Sequence, residues 1–392
     1  MIAAKDRANG RGNAAEAAAA TSDAAAKAFA ATTHYDVGPI REEWAALAKA
    51  TPSLQLSPEA FDAVLAAAPT DARFVCVRRN GRLVLLWAFT VSRVGPLSHA
   101  VRLGRAIQCY DEPLVEPGCA AEAVAAAWAE IERWSGVDCV SFSQLRQNSA
   151  AMTVPAVFDT ARLAEDAPFI DLTDIVDLDA YRASLSKNRR GSLRRRMKSL
   201  KAEHTVAFTP LEDPEARAEA VRQAMAFKRV WLDAQQAVGS AYASDYFEPG
   251  FLALAQDPTC RDALKVFALT VDERTVAVEI GLVSGTTYQS HIGAFDPEMT
   301  KAGVGALLTL DVIGWCIEAG IETYDMLAPD TAFKRDWTDT AAPVCEAMIP
   351  LSAVGRVALP LMRDGRRIAK SAHAALPAPA RAAAKALLAR FG

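Results

Sequence analysis

The sequence predicts an α/β (α+β) protein of two tandem units, each a mixed, largely antiparallel sheet flanked by helices. Three observations lead there. A chain of 392 residues exceeds one ordinary core, because domains usually hold about 100–200 residues. Short apolar runs separated by tight-turn residues alternate with stretches of helical period. The order strand pair, helix, strand also occurs twice, which suggests a duplication even though no residue-level repeat is evident.

The alanine-rich start, Met1–Ala31, scatters charges among its apolar residues and lacks the unbroken apolar core of a secretory signal, so it is expected to be a disordered tail. Residues 35–65 are helical around Trp44, Leu47 and Phe61. Phe74–Arg78 and Leu83–Val91 are strands joined across Asn80-Gly81, a strong hairpin signal. A helix over Ala120–Trp134 and a strand over Cys139–Phe142 follow. Pro155 and Pro168 bracket a connection into a strand at Phe169–Leu172, which sets the domain boundary near 165.

The second unit opens on a basic helix, Tyr181–Glu203, then a long helix, Pro214–Val238, and a short one near Phe251. Leu264–Val271, Thr275–Val283 and Thr286–Phe295 form a meander through tight turns. Gly303–Ala319 carries an apolar stripe of helical period, Gly320 ends it, and Ile321–Leu327 is a further strand. The expected organisation is thus a tail over 1–31, units over 32–165 and 166–350, and a basic amphipathic tail over 351–392.

Composition limits the chemistry. About half the residues are apolar, and no charge-free apolar run is long enough to cross a membrane. The seven cysteines and five histidines stand apart from one another, which argues for reduced thiols, a cytoplasmic setting and no metal site. Net charge is only −4, yet Arg182–Lys201 holds nine Lys or Arg and no acid. In the basic helix Leu185, Leu193, Met197 and Leu200 share one side, leaving Arg189, Arg190, Arg194 and their neighbours around the rest. A solvated face is the usual reason for such a run, but the missing acids favour an anion as partner: a nucleotide-sugar, a lipid-linked pyrophosphate, a tRNA or a regulatory nucleotide. The run Arg356–Arg390 has eight cations against Asp364. It is suited either to an anionic membrane surface or to docking on the protein itself.

Gly303-Val304-Gly305 lies between a strand and a helix, where glycines admit a phosphate to the helix N-terminus or simply make a tight, closely packed turn. The full dinucleotide pattern is absent. Glu279 interrupts an apolar strand and His291 lies in the next one. A short turn would bring them opposite or one residue apart, so the two could share a proton; the plainer reading is an outward-facing acid and a satisfied histidine. Asp325 stands at the C-terminal end of the last strand, where α/β folds tend to bind ligands, with Lys334 and Trp337 beyond it. No nucleophile elbow is present.

Tyr288–Pro297, Gly303–Leu308, Tyr324–Pro329 and Phe333–Trp337, with the basic helix upstream and, more loosely, Tyr110–Leu114, resemble the GNAT-like proteins related to the cellulose-biosynthesis protein CelD. That resemblance implies tandem units like those of the Fem peptidyltransferases, with the working site between them or in the second. It implies acyl-CoA, acetyl-CoA foremost, as co-substrate at Gly303, Val304 and Gly305, although Thr300 stands where Arg or Gln commonly begins that loop. It further implies an amine acceptor on a cell-surface polysaccharide or its sugar precursor; the expected location is the cytoplasm, with the basic tail able to reach the inner face of the plasma membrane. No DNA partner is expected. A Fem-like transfer from aminoacyl-tRNA to a peptidoglycan precursor and a non-catalytic nucleotide-binding module are the alternatives.

Overall fold

The computed structural model describes residues 29–51, 57–67, 71–94, 97–105, 107–235, 242 and 246–359. The first half runs β1 (Phe29–His34), α1 (Arg41–Ala50), α2 (Pro58–Ala67), β2 (Asp71–Arg79), β3 (Arg82–Val94), β4 (Leu97–Arg102), β5 (Leu114–Val115), α3 (Ala120–Ile131), β6 (Cys139–Arg146), α4 (Pro155–Thr160) and β7 (Arg162–Asp171). The second half continues with α5 (Leu178–Ser184), α6 (Lys187–Glu203), β8 (Val206–Leu211), α7 (Pro214–Gln235), α8 (Phe247–Gln256), β9 (Leu264–Val271), β10 (Arg274–Ser284) and β11 (Thr287–Phe295). It closes with α9 (Val304–Glu318), β12 (Thr323–Asp325), α10 (Ala332–Arg335), β13 (Ala341–Pro350) and α11 (353–359).

The duplication absent from residue identities is present in topology. With the small elements set aside, strand, two helices, three strands, helix and two strands recur as β1 to β7 and as β8 to β13. All the strands belong to one sheet in the order β1-β2-β3-β4-β6-β13-β7-β12-β11-β10-β9-β8, with β5 beside β3. Each half has one parallel pair, β4 with β6 and β11 with β12. The last strands are exchanged: β13 lies against β6 of the first half, β7 lies against β12 of the second, and the two pair with each other at the centre. A seam made of backbone hydrogen bonds joins the halves more firmly than a linker would.

Several boundaries therefore differ from expectation. Residue 165 falls inside β7, and the second unit gives β13 to the first half. Phe29–Ala31, expected in the tail, begin β1 and pair with Arg79, Arg78 and Val77. The basic helix is two helices, because Ser186 adopts an extended ψ and its hydroxyl accepts the Arg189 N–H at 3.2 Å, capping α6 afresh. Asn80 and Gly81 take φ of 52° and 80°, as the expected hairpin requires. The tail expectations for residues 1–28 and 360–392 lie outside the described residues.

One face of the sheet carries a core shared by both halves, in which Trp44, Phe61 and Phe74 continue into Phe251, Leu254 and Ile280. The opposite face carries two cores. Trp87, Trp128 and Phe142 pack under α3 in the first half, while Leu193, Tyr288, Leu308 and Tyr324 pack under α5, α6 and α9 in the second. At the seam a small cluster of Tyr110, Ala167, Leu327 and Val344 closes the gap between the halves.

Candidate active site

The second half opens where its parallel pair ends. β11 pairs with β12 only over Thr287–Gln289 against Thr323–Asp325, after which β11 runs on to Phe295 without β12 beside it. The backbone edge of Ser290–Phe295 thus borders a wedge able to receive an extended amide-bearing chain by strand-like pairing. At its far end Gly303 caps α9 in the left-handed conformation, φ 68°. The Gly303 carbonyl accepts from the N–H groups of Ala306 and Leu307, and the N–H groups of Val304 and Gly305 have no acceptor within the helix. A Cβ on Gly303 would collide with the Arg196 guanidinium, which rests over this helix start. A cation beside the positive end of a helix is unfavourable alone, and an anion between them reverses the sign of both interactions. Gly305 serves packing, since a Cβ there would meet Phe295 at 2.8 Å.

At the near end of the wedge stands Asp325, buried at 5 % exposure. Its carboxylate accepts the Tyr110 hydroxyl at 2.8 and 3.0 Å and the Leu327 N–H at 2.8 Å. Burial raises its pKa, while these donors and the nearby Arg146 and Lys334 oppose the rise. Lys334 reaches back from α10 to donate to the carbonyls of Leu327 and Pro329 at 2.6 and 2.9 Å. Burial depresses its pKa to about 8, against the pull of Asp325.

Tyr110 comes from the first half, on the loop after β4. A buried ion pair between Arg102 and Asp111, 2.6 Å apart and each about 2 % exposed, fixes that loop. Arg102 also donates to the Tyr110 carbonyl, and Asp111 accepts the Ser143 and Gln144 N–H groups of β6. Arg146, paired with Glu112 at 2.8 Å, lies 4.5 Å over the Tyr110 ring. The neighbouring Cys109 Sγ is 3.2 Å from His291.

Glu279 and His291 do not share a proton. β10 and β11 slip register between Ile280 and Gly281, so Ile280 pairs with Ile292 and Gly281 with Ser290, leaving His291 as the extra residue. The His291 ring consequently faces Phe251 and Cys109, and its carbonyl accepts the Tyr242 hydroxyl. Glu279 faces α9, where it accepts from the hydroxyls of Tyr288 at 3.2 Å, Ser290 at 3.1 Å, Thr309 at 3.4 Å and Tyr324. Burial raises the Glu279 pKa and pushes that of His291 down to about 3, so His291 is neutral at physiological pH.

The anion-binding residues expected from the basic helix divide. Arg189 stacks 4.2 Å over Trp337 and pairs with Asp336 at 3.2 Å, next to the site. Arg190 donates to the Ala183 and Leu185 carbonyls, and Arg194 is exposed on the far side of α6. Trp337 is buried, as a core residue would be.

Four participants escaped sequence reasoning. Tyr110, Arg102 and Asp111 belong to a half where only the Tyr110–Leu114 resemblance pointed. Lys228 is the fourth: its ammonium lies 5.3 Å from the Trp231 ring and 5.1 Å from that of Tyr242, and burial followed by the Lys334 charge lowers its pKa to about 8. Its signal in the sequence was a lysine on the apolar side of an amphipathic helix. Among the described residues no group of His, Cys, Asp and Glu could hold a metal ion.

The depressed pKa of the Lys334 ammonium makes the site sensitive to pH. A lysine lowered to about 8 is an ammonium below that pH and an amine above it. Activity at this site that uses the ammonium should fall as pH rises through about 8. In Lys334→Arg the falling limb should move to higher pH, because arginine stays charged. A limb unchanged in Lys334→Arg but absent in Lys228→Met would assign it to Lys228 instead.

A sheet parted between parallel strands, with a glycine-capped helix start at one end and a buried carboxylate at the other, places the candidate site in the second half. Residues 187–335 match the family model of the acetyltransferase (GNAT) domain, whereas no curated protein matches by sequence. Solved structures share the fold at low identity. FemX is 11% identical, covering 84% of this chain and 99% of its own with a TM-score of 0.56. The C-terminal domain of a predicted lysylphosphatidylglycerol synthetase from Agrobacterium fabrum is 15% identical over 83% of this chain and 96% of its own, TM-score 0.52. A conserved protein of unknown function from Bacteroides thetaiotaomicron is 12% identical over 82% and 100%, TM-score 0.50. The GNAT match thus covers the part of the second half that holds the candidate site, and the two-unit fold is one shared with FemX.

Proposed function

We propose that the protein is an N-acyltransferase that moves an acyl group, acetyl foremost, from acyl-CoA to an amine of a cell-surface polysaccharide or its sugar precursor. The observation that carries the donor is the Arg196 guanidinium over the Gly303 start of α9, at one end of a wedge whose other end is Asp325. The donor pyrophosphate binds between Arg196 and the N–H groups of Val304 and Gly305, and the amide-bearing arm follows the β11 edge. The thioester carbonyl then lies beside Asp325.

The acceptor amine attacks that carbonyl directly. Asp325, made more basic by burial, orients the amine and takes its proton, while Tyr110 holds the carboxylate in place. The carbon–sulfur bond breaks and the thiolate leaves to be protonated. Lys334 and Lys228, two half-desolvated cations, receive a carboxylate or phosphate of the acceptor. Glu279, enclosed by hydroxyls, braces the sheet rather than meeting substrate, and His291 packs as a neutral ring against Phe251 and Cys109. The sugar acceptor rests on resemblance to the CelD-related proteins, which is analogy.

Incubation of the protein with acetyl-CoA and a glucosamine-bearing oligosaccharide should release CoA thiol in step with an N-acetylated product. Thiol release that is identical with and without the amine, with no acetylated sugar, would remove the proposed acceptor class.

A further inference from the structure

A second basic feature lies away from Asp325. Between α5, α6 and the first turns of α9 runs an open groove of about 870 Å³. Its cations are Lys187, Arg190, Arg194, Arg195, Lys198 and Lys201 of α6, with Arg182 of α5. Positions 187, 190, 194, 198 and 201 recur every three or four residues, so they form one stripe along the helix, about 21 Å long at the helical rise. Arg182 is paired with Asp179 at 2.9 Å. Among the described residues Lys187, Arg194, Arg195, Lys198 and Lys201 make no ion pair, and the Asp311 carboxyl of α9 is pushed up to about 6 by burial against the pull of Arg182 and Lys201. Like charges three and four residues apart destabilise a helix, so a ligand that neutralises them is favoured.

The walls of the groove narrow the choice of ligand. Leu185, Leu193, Met197, Leu307 and Leu310 line it, together with the aliphatic stems of the cations, and among the described residues no aromatic ring lines it. A nucleotide base or a single-stranded nucleic acid would lack its usual stacking platform there. A bilayer surface fits poorly as well, because the apolar walls are recessed: Leu193, Leu307 and Leu310 are 4, 1 and 5 % exposed. Above this closed floor the partly exposed Met197 and the aliphatic stems of the cations offer an apolar wall to a single hydrocarbon chain, with its anionic head at the rim.

We propose that this groove binds the phosphate or pyrophosphate head and the first part of the hydrocarbon chain of a single lipid-linked phosphate, the carrier on which the acceptor sugar is presented. The carrier role rests on the acyltransferase reading, whereas the binding does not. The head lies against Arg194, Lys198 and their neighbours, and the chain follows Leu185 and Met197. An amphiphile held there stands beside the same helix whose start receives the acyl donor.

Calorimetry with the full chain tests this, using farnesyl pyrophosphate below its micelle concentration, inorganic pyrophosphate, ADP, and vesicles with and without anionic phospholipid. Farnesyl pyrophosphate should bind at least tenfold more tightly than inorganic pyrophosphate or ADP. R194Q/K198Q should weaken it by tenfold or more, and K187Q/K201Q, a second exposed pair, should also weaken it. Circular dichroism of each variant should match the parent. Equal affinity for farnesyl pyrophosphate and inorganic pyrophosphate would overturn the proposal in favour of a free-phosphate site. Tighter binding of ADP, or binding of anionic vesicles alone, would overturn it as well. Since no acyl transfer is measured, failure here leaves the acyltransferase reading standing, and loss of acyl-CoA binding leaves the groove result standing.

Discussion

Asparagine at position 325 should lower acyl transfer by about a hundredfold or more, the range that a positioned proton acceptor contributes, with acyl-CoA affinity unchanged. The size follows from the setting. Asp325 is buried, and its pKa is raised by that burial, so it is a stronger base than an exposed carboxylate. The amide keeps an oxygen to accept from Tyr110 and the Leu327 N–H, so the local backbone should hold. What it loses is the capacity to take a proton. Single-turnover transfer and donor binding measured on the same variant separate the two effects. Equal transfer in Asp325→Asn and the parent would move the base elsewhere. Loss of donor affinity in step with rate would make Asp325 a donor contact.

Arg102→Met should destabilise the protein by about 3–5 kcal/mol, the usual cost of removing one partner from a buried ion pair. The carboxylate of Asp111 would remain about 2 % exposed without its cation. Replacing both members, Arg102→Met with Asp111→Asn, should recover part of the loss, because no full charge is then stranded. The consequence reaches the site through one residue, since Arg102 donates to the carbonyl of Tyr110, whose hydroxyl meets Asp325. Denaturant unfolding gives the stability, and the transfer rate under folding conditions gives the positional effect. A loss below about 1 kcal/mol for Arg102→Met would show that water or another group reaches Asp111, contrary to a sealed pair.

The fold was legible where the signal was local. Asn80-Gly81 marked its hairpin, and the apolar stripe from Val304 to Trp315 with Gly320 behind it marked α9. β13 went unseen because Pro343 interrupts its pattern and its partners, β6 and β7, lie some 170 to 210 residues earlier, a pairing no window of sequence contains. The exchange of final strands is hidden for the same reason. Within the site, Asp325 and Lys334 announced themselves through strand position and motif, yet the Tyr110 contact spans 215 residues. The Glu279 and His291 relation failed on one residue: the bulge beside Gly281, against which the Tyr288 ring packs closely enough to exclude any side chain, turns His291 to the other face. Arg102 and Asp111 were the nearest miss, two opposite charges among apolar neighbours only nine positions apart.

The donor is the premise on which the catalytic account depends, and calorimetric titration of the full chain with acetyl-CoA and with longer acyl-CoAs tests it most directly. One acyl-CoA per chain is predicted, bound in the second half, with affinity falling at least tenfold in Arg196→Gln and in Gly303→Val. A protein that binds none of these thioesters, or binds them equally well in both variants, would contradict the account.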